Sequence, residues 1–165
     1  MTLLKKKSVI LGLDPGTRVT GYGIIQTDGH HYQAIDYGCI RLPEKEPFSI
    51  RASLLFDGVD QLLTHYPIHA VSVEGQYMHK NAQSALKLGM AKGVAILAAT
   101  KRNIPIHEYS PKKAKLAATG NGNASKEQVQ RMIQMLFHLP TLPKPQDAAD
   151  ALALAFCHSH HQRRF

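Results

Sequence analysis

Four acidic side chains stand at positions where an acid needs a reason. Asp14 closes the apolar run Ser8-Val-Ile-Leu-Gly-Leu, and Glu74 closes a second, Ala70-Val-Ser-Val. Asp147 and Asp150 lie three apart at the start of a stretch rich in Ala and Leu, a spacing that puts helical Cβ atoms about 5–6 Å apart on one face. Singly, each has an ordinary role. Asp-Pro-Gly is a common turn, and Asp-x-x-Asp suits the first turn of a helix, whose dipole favours anions. Together they would do something else. Ionised carboxylates within about 4 Å of one another repel by up to about 4 kcal/mol per pair at an effective dielectric near 20, so such a cluster holds only with protons or divalent cations. Mg²⁺ takes carboxylate oxygens, retains water and shares its remaining positions with phosphate oxygens. Two such ions about 3.5–4 Å apart can activate a water and stabilise the leaving oxygen of a phosphodiester. The chemistry foreseen is hydrolysis of a nucleic-acid backbone, provided the four acids meet, which the sequence alone leaves open.

The charge balance points the same way. Twenty Lys and Arg against twelve Asp and Glu give +8, with ten His besides. A partner with dense negative charge suits that excess, and nucleic acid is the commonest one; a merely soluble basic protein would share it. With 44% hydrophobic and 19% charged residues, the 165-residue chain can bury a core as one domain, 1–165, and nothing suggests disorder. Cys39 and Cys157 form no CxxC pattern, so neither a disulfide scaffold nor a zinc site is indicated. Lys5-Lys6-Lys7 forms a basic N-terminal extension, residues 1–7, before an apolar stretch too short for a signal peptide. No run is long enough to span a membrane. A cytoplasmic protein with no membrane partner is expected.

The elements that must position the acids follow from period and punctuation. Ser8 to Asp14 reads as a buried strand, held extended to its end by Pro15. Thr20 to Thr27 and His31 to Leu42 read as two more, joined at the hairpin signal Asp28-Gly29. Ile50, Leu54, Leu55, Val59, Leu62 and Leu63 recur at helical spacing up to Pro67. Ala70 to Glu74 is a short strand. Asn81 to Lys101 is a long helix, apolar around most of its girth, with Ala85, Gly89 and Gly93 opening a small-residue face. It needs cover on two sides; one can be the sheet, and the other is open to a partner subunit. Pro105 to Tyr109 is a last strand, followed by a Lys-rich segment from Pro111 to Lys115. Ser125 with Gln128 resembles a capping box opening a helix through Leu136, and Asp147 to His158 forms the final helix. The order β-β-β-α-β-α-β-α-α predicts an α/β fold, a mixed five-stranded sheet in which an antiparallel meander joins parallel strands, with helices on both faces. His158-Ser-His-His161 is a short His tract with no carboxylate nearby, and residues 159–165 are expected to be a mobile tail rather than a metal site.

Four segments resemble a known family. Val9-Ile-Leu-Gly-Leu-Asp-Pro-Gly-Thr-Arg-Val-Thr-Gly-Tyr-Gly23, Asn81-Ala-Gln-Ser-Ala-Leu-Lys-Leu-Gly89, Gly120-Asn-Gly-Asn-Ala-Ser-Lys-Glu-Gln-Val129 and Asp147-Ala-Ala-Asp-Ala-Leu-Ala153 are similar, in order and spacing, to motifs of the RuvC crossover junction endodeoxyribonucleases. The resemblance covers about Ser8 to His160. It implies a ribonuclease H-like fold, a homodimer, and paired Mg²⁺-dependent nicks in four-way (Holliday) junction DNA during recombination and repair. Two ions per subunit are implied, with Mn²⁺ as a substitute, and a branch-migration motor as a further partner. By motif, the catalytic and metal-binding acids fall on Asp14, Glu74, Asp147 and Asp150. Lys115 and Lys126 match the family's basic residues near the active site, where a cation can hold the scissile phosphate. Tyr77 matches an aromatic that stacks on a base of the opened junction, a contact worth about 1–3 kcal/mol. Gly75-Gln76 departs from the family pattern, and the basic extension is longer than usual.

Three rivals are separable. Asp14-x-Gly-Thr17 resembles the phosphate loop of actin-like sugar kinases and chaperone ATPases, but those need a second lobe for which 165 residues leave no room. A junction-binding module without catalysis would use the basic charge and Tyr77 but has no need of four acids. A housekeeping RNase H would prefer an RNA–DNA hybrid to a four-way junction.

Overall fold

Strand β1 (Ser8–Asp14) alternates its side chains between two cores, and the whole molecule follows from that alternation. Val9, Leu11 and Leu13 enter one core, and Ile10 enters the other. The computed structural model describes residues 7–75 and 80–162. β1 pairs antiparallel with β2 (Val19–Thr27), which returns as β3 (Tyr32–Arg41). The turn between them uses Gly29 at φ 91°, a left-handed conformation that glycine adopts without strain. Asp28 Oδ1 accepts from the backbone of His30 and His31 at 2.8 Å and closes it. On its other edge β1 pairs parallel with β4 (Ala70–Glu74), which pairs parallel with β5 (Ile106–Tyr109). The order β3-β2-β1-β4-β5 is the mixed five-stranded sheet expected of the ribonuclease H-like fold.

Helices α1 (Phe48–His65) and α2 (Ala82–Thr100) cover one face, packing Leu55, Val59, Leu63, Ala91 and Ala95 on Leu11, Leu13, Val71 and Val73. Helices α3 (Pro111–Thr119), α4 (Lys126–Leu136) and α5 (Gln146–Gln162) cover the other, with Val129, Ile133, Leu152 and Phe156 against Ile10 and Ile25. No helix among the described residues is long and apolar enough to cross a membrane.

The structure corrects the sequence reading in three places. The Lys-rich segment after β5 is the helix α3: Ser110 caps it by accepting from Lys113 N at 3.2 Å, Pro111 occupies its first turn, and Gly120 ends it at φ 76°. Residues 159–162, expected to be mobile, form the last turn of α5, where the Ser159 hydroxyl donates to Phe156 O at 2.6 Å and both His158 and Ser159 are buried. The predicted apolar stripe of α1 is only partly internal, since Ile50 and Leu54 are exposed. The capping box of α4 stands as predicted, with Ser125 Oγ accepting from Gln128 N and Gln128 Oε1 accepting from Ser125 N.

Candidate active site

The four acids converge because three strand positions beneath the first turns of α5 are glycines. In the β1–β2 register Asp14 faces Gly21 and Gly12 faces Gly23. A Cβ at Gly21 would collide with the backbone of Asp147, one at Gly12 with the Ala151 carbonyl, and one at Gly23 would stand 2.7 Å from Leu152 Cγ. Glycine inside a strand marks a close backbone approach, and here it lets the first turns of α5 lie directly on the strands. Asp147 therefore sits over the residue that pairs with Asp14. The buried Ser72 hydroxyl donates to Leu154 O at 2.8 Å and fixes α5 along β4 as well.

Glu74 joins from β4. Leu13 and Val73 are register partners in the parallel pair, so Asp14 and Glu74 occupy the next positions of adjacent strands. Glu74 lies two residues beyond Ser72, which already meets α5, and period-2 alternation turns Glu74 to that same face. The chain leaving Glu74 is held by Gly75 N, which donates to Tyr109 O at 2.8 Å, and by Lys92 Nζ, which donates to Gly75 O at 3.2 Å and to Glu108 at 2.6 Å. The chain leaving Asp14 is held by Arg51, which donates to Thr17 O at 2.8 Å.

The result is a cavity of about 360 Å³ lined by Asp14, Glu74, Asp147 and Asp150, with Lys115 from α3 and Lys126 from α4 on its wall. Its electrostatics are unbalanced. Burial, then the charges of Glu74, Asp150 and Asp147, push the Asp14 carboxyl from 3.8 up to about 8, against an opposing pull from Lys126. Burial raises Asp150 to about 6, with Lys126 pulling down and Asp147 and Glu74 pushing up. A mutual shift of this kind requires the acids to share one low-dielectric space.

Among the described residues no group of three or more His, Cys, Asp or Glu side chains makes a ready-formed metal cage. The shared cavity and the mutual pKa shifts nevertheless fit a hard divalent cation. Mg²⁺ commonly keeps several waters and binds through one or two carboxylates plus substrate phosphates, so a closed protein cage is not its signature. The donor set is all oxygen, it carries more negative charge than its two lysines offset, and a cation relieves the repulsion now taken up by protons.

The sequence model of the family described as Crossover junction endodeoxyribonuclease RuvC matches residues 10–158. This chain belongs to the RuvC family. A crossover junction endodeoxyribonuclease RuvC of Protochlamydia amoebophila is 56% identical over 156 residues, covering 94% of this chain and 93% of that one. The corresponding RuvC of Desulforamulus reducens is 43% identical over 157 residues, covering 95% and 96%. Among solved structures, T. thermophilus RuvC in complex with Holliday junction substrate superposes with a TM-score of 0.89 at 30% identity, covering 95% of this chain and 96% of that one. The yeast mitochondrial Holliday junction resolvase Ydc2, at TM-score 0.70 and 17% identity, covering 99% and 82%, shares the fold.

Of the residues singled out from the sequence, Asp14, Glu74, Asp147, Asp150, Lys115 and Lys126 line this one cavity. Tyr77, like Lys5 and Lys6, lies outside the described residues. Gly12, Gly21 and Gly23 escaped the sequence reading, although three glycines inside two strands were the available signal.

Proposed function

We propose that this chain is a structure-selective DNA endonuclease that resolves four-way junctions in recombination and repair, hydrolysing phosphodiester bonds as a single cytoplasmic nuclease domain. The observation that carries the reading is the convergence of four acids and two lysines in one cavity of a chain that belongs to the RuvC family. Asp14, Glu74, Asp147 and Asp150 serve as metal ligands and general-base support for two Mg²⁺ ions, with Mn²⁺ as a substitute. When bound, such ions supply an activated water and neutralise charge at the scissile phosphate.

The remaining work falls to the chain. Lys115 and Lys126 hold the non-bridging phosphate oxygens and offset the charge that develops on them. The net charge of +8 draws DNA to the cavity mouth and makes its binding salt-dependent. Tyr77 stacks on a base of the opened junction, by resemblance to the family.

The working unit is a homodimer, so that two cavities address two strands. Helix α2 supports this: Leu86, Met90 and Leu97 are 66%, 45% and 53% exposed, and a Cβ at Gly89 or Gly93 would meet nothing, leaving an apolar, small-residue surface for a second copy. A branch-migration motor is the further partner implied by resemblance.

The test sets a synthetic four-way junction beside a linear duplex and an RNA–DNA hybrid, each with Mg²⁺. Paired nicks confined to the junction are expected. Preferential cutting of the hybrid, or binding without cutting, would overturn the reading in favour of an RNase H or a binding module.

A further inference from the structure

A second cavity, of about 490 Å³, is lined in part by Thr17 and Arg18 of the loop that follows Asp14. Arg18, Arg51 and Lys87 line it, with Glu44 as its one acid and Thr17 on its wall. Leu88 lines both this cavity and the carboxylate cavity, so the two adjoin.

Its cations are incompletely used. Arg51 reaches the Thr17 carbonyl at 2.8 Å and packs its guanidinium 5.7 Å from the centre of the Phe48 ring. Its Nε is buried and meets no acceptor among the described residues. A buried guanidinium nitrogen without an acceptor is costly, and the Phe48 contact holds the fork in place ahead of any ligand. Arg18 meets Glu44 only across 3.7 Å, between side chains 70% and 61% exposed, a pair of small worth. Three cations against one carboxylate leave the cavity short of negative charge.

We propose that this cavity is a second phosphate site, which takes a phosphodiester of the strand being cut, next to the scissile one. The proposal rests on the junction-nuclease reading and deepens it. The planar guanidinium of Arg51 suits two phosphate oxygens at once, Arg18 and Lys87 add charge from the rim, and Glu44 tempers the affinity. Because Arg51 also holds the loop carrying Thr17, three residues after Asp14, a phosphate seated here would fix the backbone path at the cavity where hydrolysis takes place. The site reads charge and strand path, and no base.

The test measures junction binding by the full-length protein in chelator, so that nothing is cut, across a range of salt. Arg18→Gln with Lys87→Gln changes only exposed side chains. Loss of one or two phosphate contacts should flatten the dependence of log K on log salt by about 0.9 for each and weaken binding about tenfold at low salt. Glu44→Gln should act oppositely and tighten binding. Arg131→Gln with Lys144→Gln removes the same charge elsewhere and should leave the slope near that of the wild type. An unaltered slope in the first pair, or equal flattening in both pairs, overturns the second site. A wild-type protein that binds no four-way junction would overturn the nuclease reading and this site with it.

Discussion

The two ends of α5 bury ionisable groups in opposite ways. At its start Asp147 and Asp150 meet Asp14 and Glu74 in an open cavity, and two of these carboxyls are pushed up, to about 8 and about 6. At its end His158 is buried against β5, where the Tyr109 hydroxyl lies 2.8 Å from Nδ1 and the His107 ring stacks at 4.1 Å. Burial, then the neighbouring His107 and His161, lowers its imidazole to about 4. There the group is neutral at working pH, with a hydrogen bond at Nδ1 and two rings against it, although its buried Nε2 meets no partner among the described residues. At the start of the helix the charges have no such accommodation within the chain. A fold keeps an unrelieved cluster of that kind when a ligand relieves it, which separates a candidate site from a packed core.

The largest expected effect comes from removing one of the crowded charges. Asp14→Asn, which preserves size, should slow junction nicking by about 10³-fold, the equivalent of several kcal/mol of transition-state stabilisation, while junction binding persists. The same variant should melt at a higher temperature than the wild type at pH 8 in chelator. Nicking at the wild-type rate would remove Asp14 from the site.

Gly21→Ala attacks the geometry instead. Its Cβ would enter the backbone of Asp147, and overpacking of a close contact costs about 1–3 kcal/mol or more. Thermal melting should show that loss together with reduced nicking; an unchanged melting temperature would mean that α5 does not rest on the strand glycines.

The pH dependence of stability should distinguish the two ends directly. Asp14 and Asp150 have folded pKa values above the usual 3.8, so the folded state binds more protons than the unfolded one and their contribution to stability falls as pH rises, to about 6 for Asp150 and about 8 for Asp14. His158 is depressed from 6.5 to about 4, so its contribution is present above 6.5 and lost as pH falls toward 4. Between about 6.5 and 8 the metal-free wild type should lose stability mainly through Asp14, and Asp14→Asn should flatten that slope. Mg²⁺ should raise the melting temperature more at pH 8 than at pH 5.

Tyr109→Phe should have the smallest effect. It removes the partner of a buried imidazole, costs about 1–3 kcal/mol in stability and leaves the nicking rate intact. A large loss of nicking would mean that the two ends of α5 are coupled.

The same contrast shows what could be read from the sequence. Strand ends were legible because Pro15 after Asp14 and the β-branched run before Glu74 are local signals, and the resemblance placed all four acids. Convergence was harder to read, since it depends on Gly12, Gly21 and Gly23 clearing a bed for α5, a cross-strand property that no single window of sequence displays. Helix α3 was missed because its Lys-rich face hid an N-cap at Ser110 and a C-cap at Gly120. The tail was misread because polar His and Ser suggested solvent, whereas Ser159 closes on Phe156 O and His161 packs against Tyr109 of β5, a partner distant in sequence.

The nicking of a synthetic four-way junction by the wild-type protein, measured at single turnover while Mg²⁺ is titrated up from chelator, tests the carboxylate site most directly. No cutting is expected in chelator, with a rate that rises to saturation with Mg²⁺. Cutting at full rate without divalent ions, or none at any Mg²⁺ concentration, would contradict a metal-dependent carboxylate site.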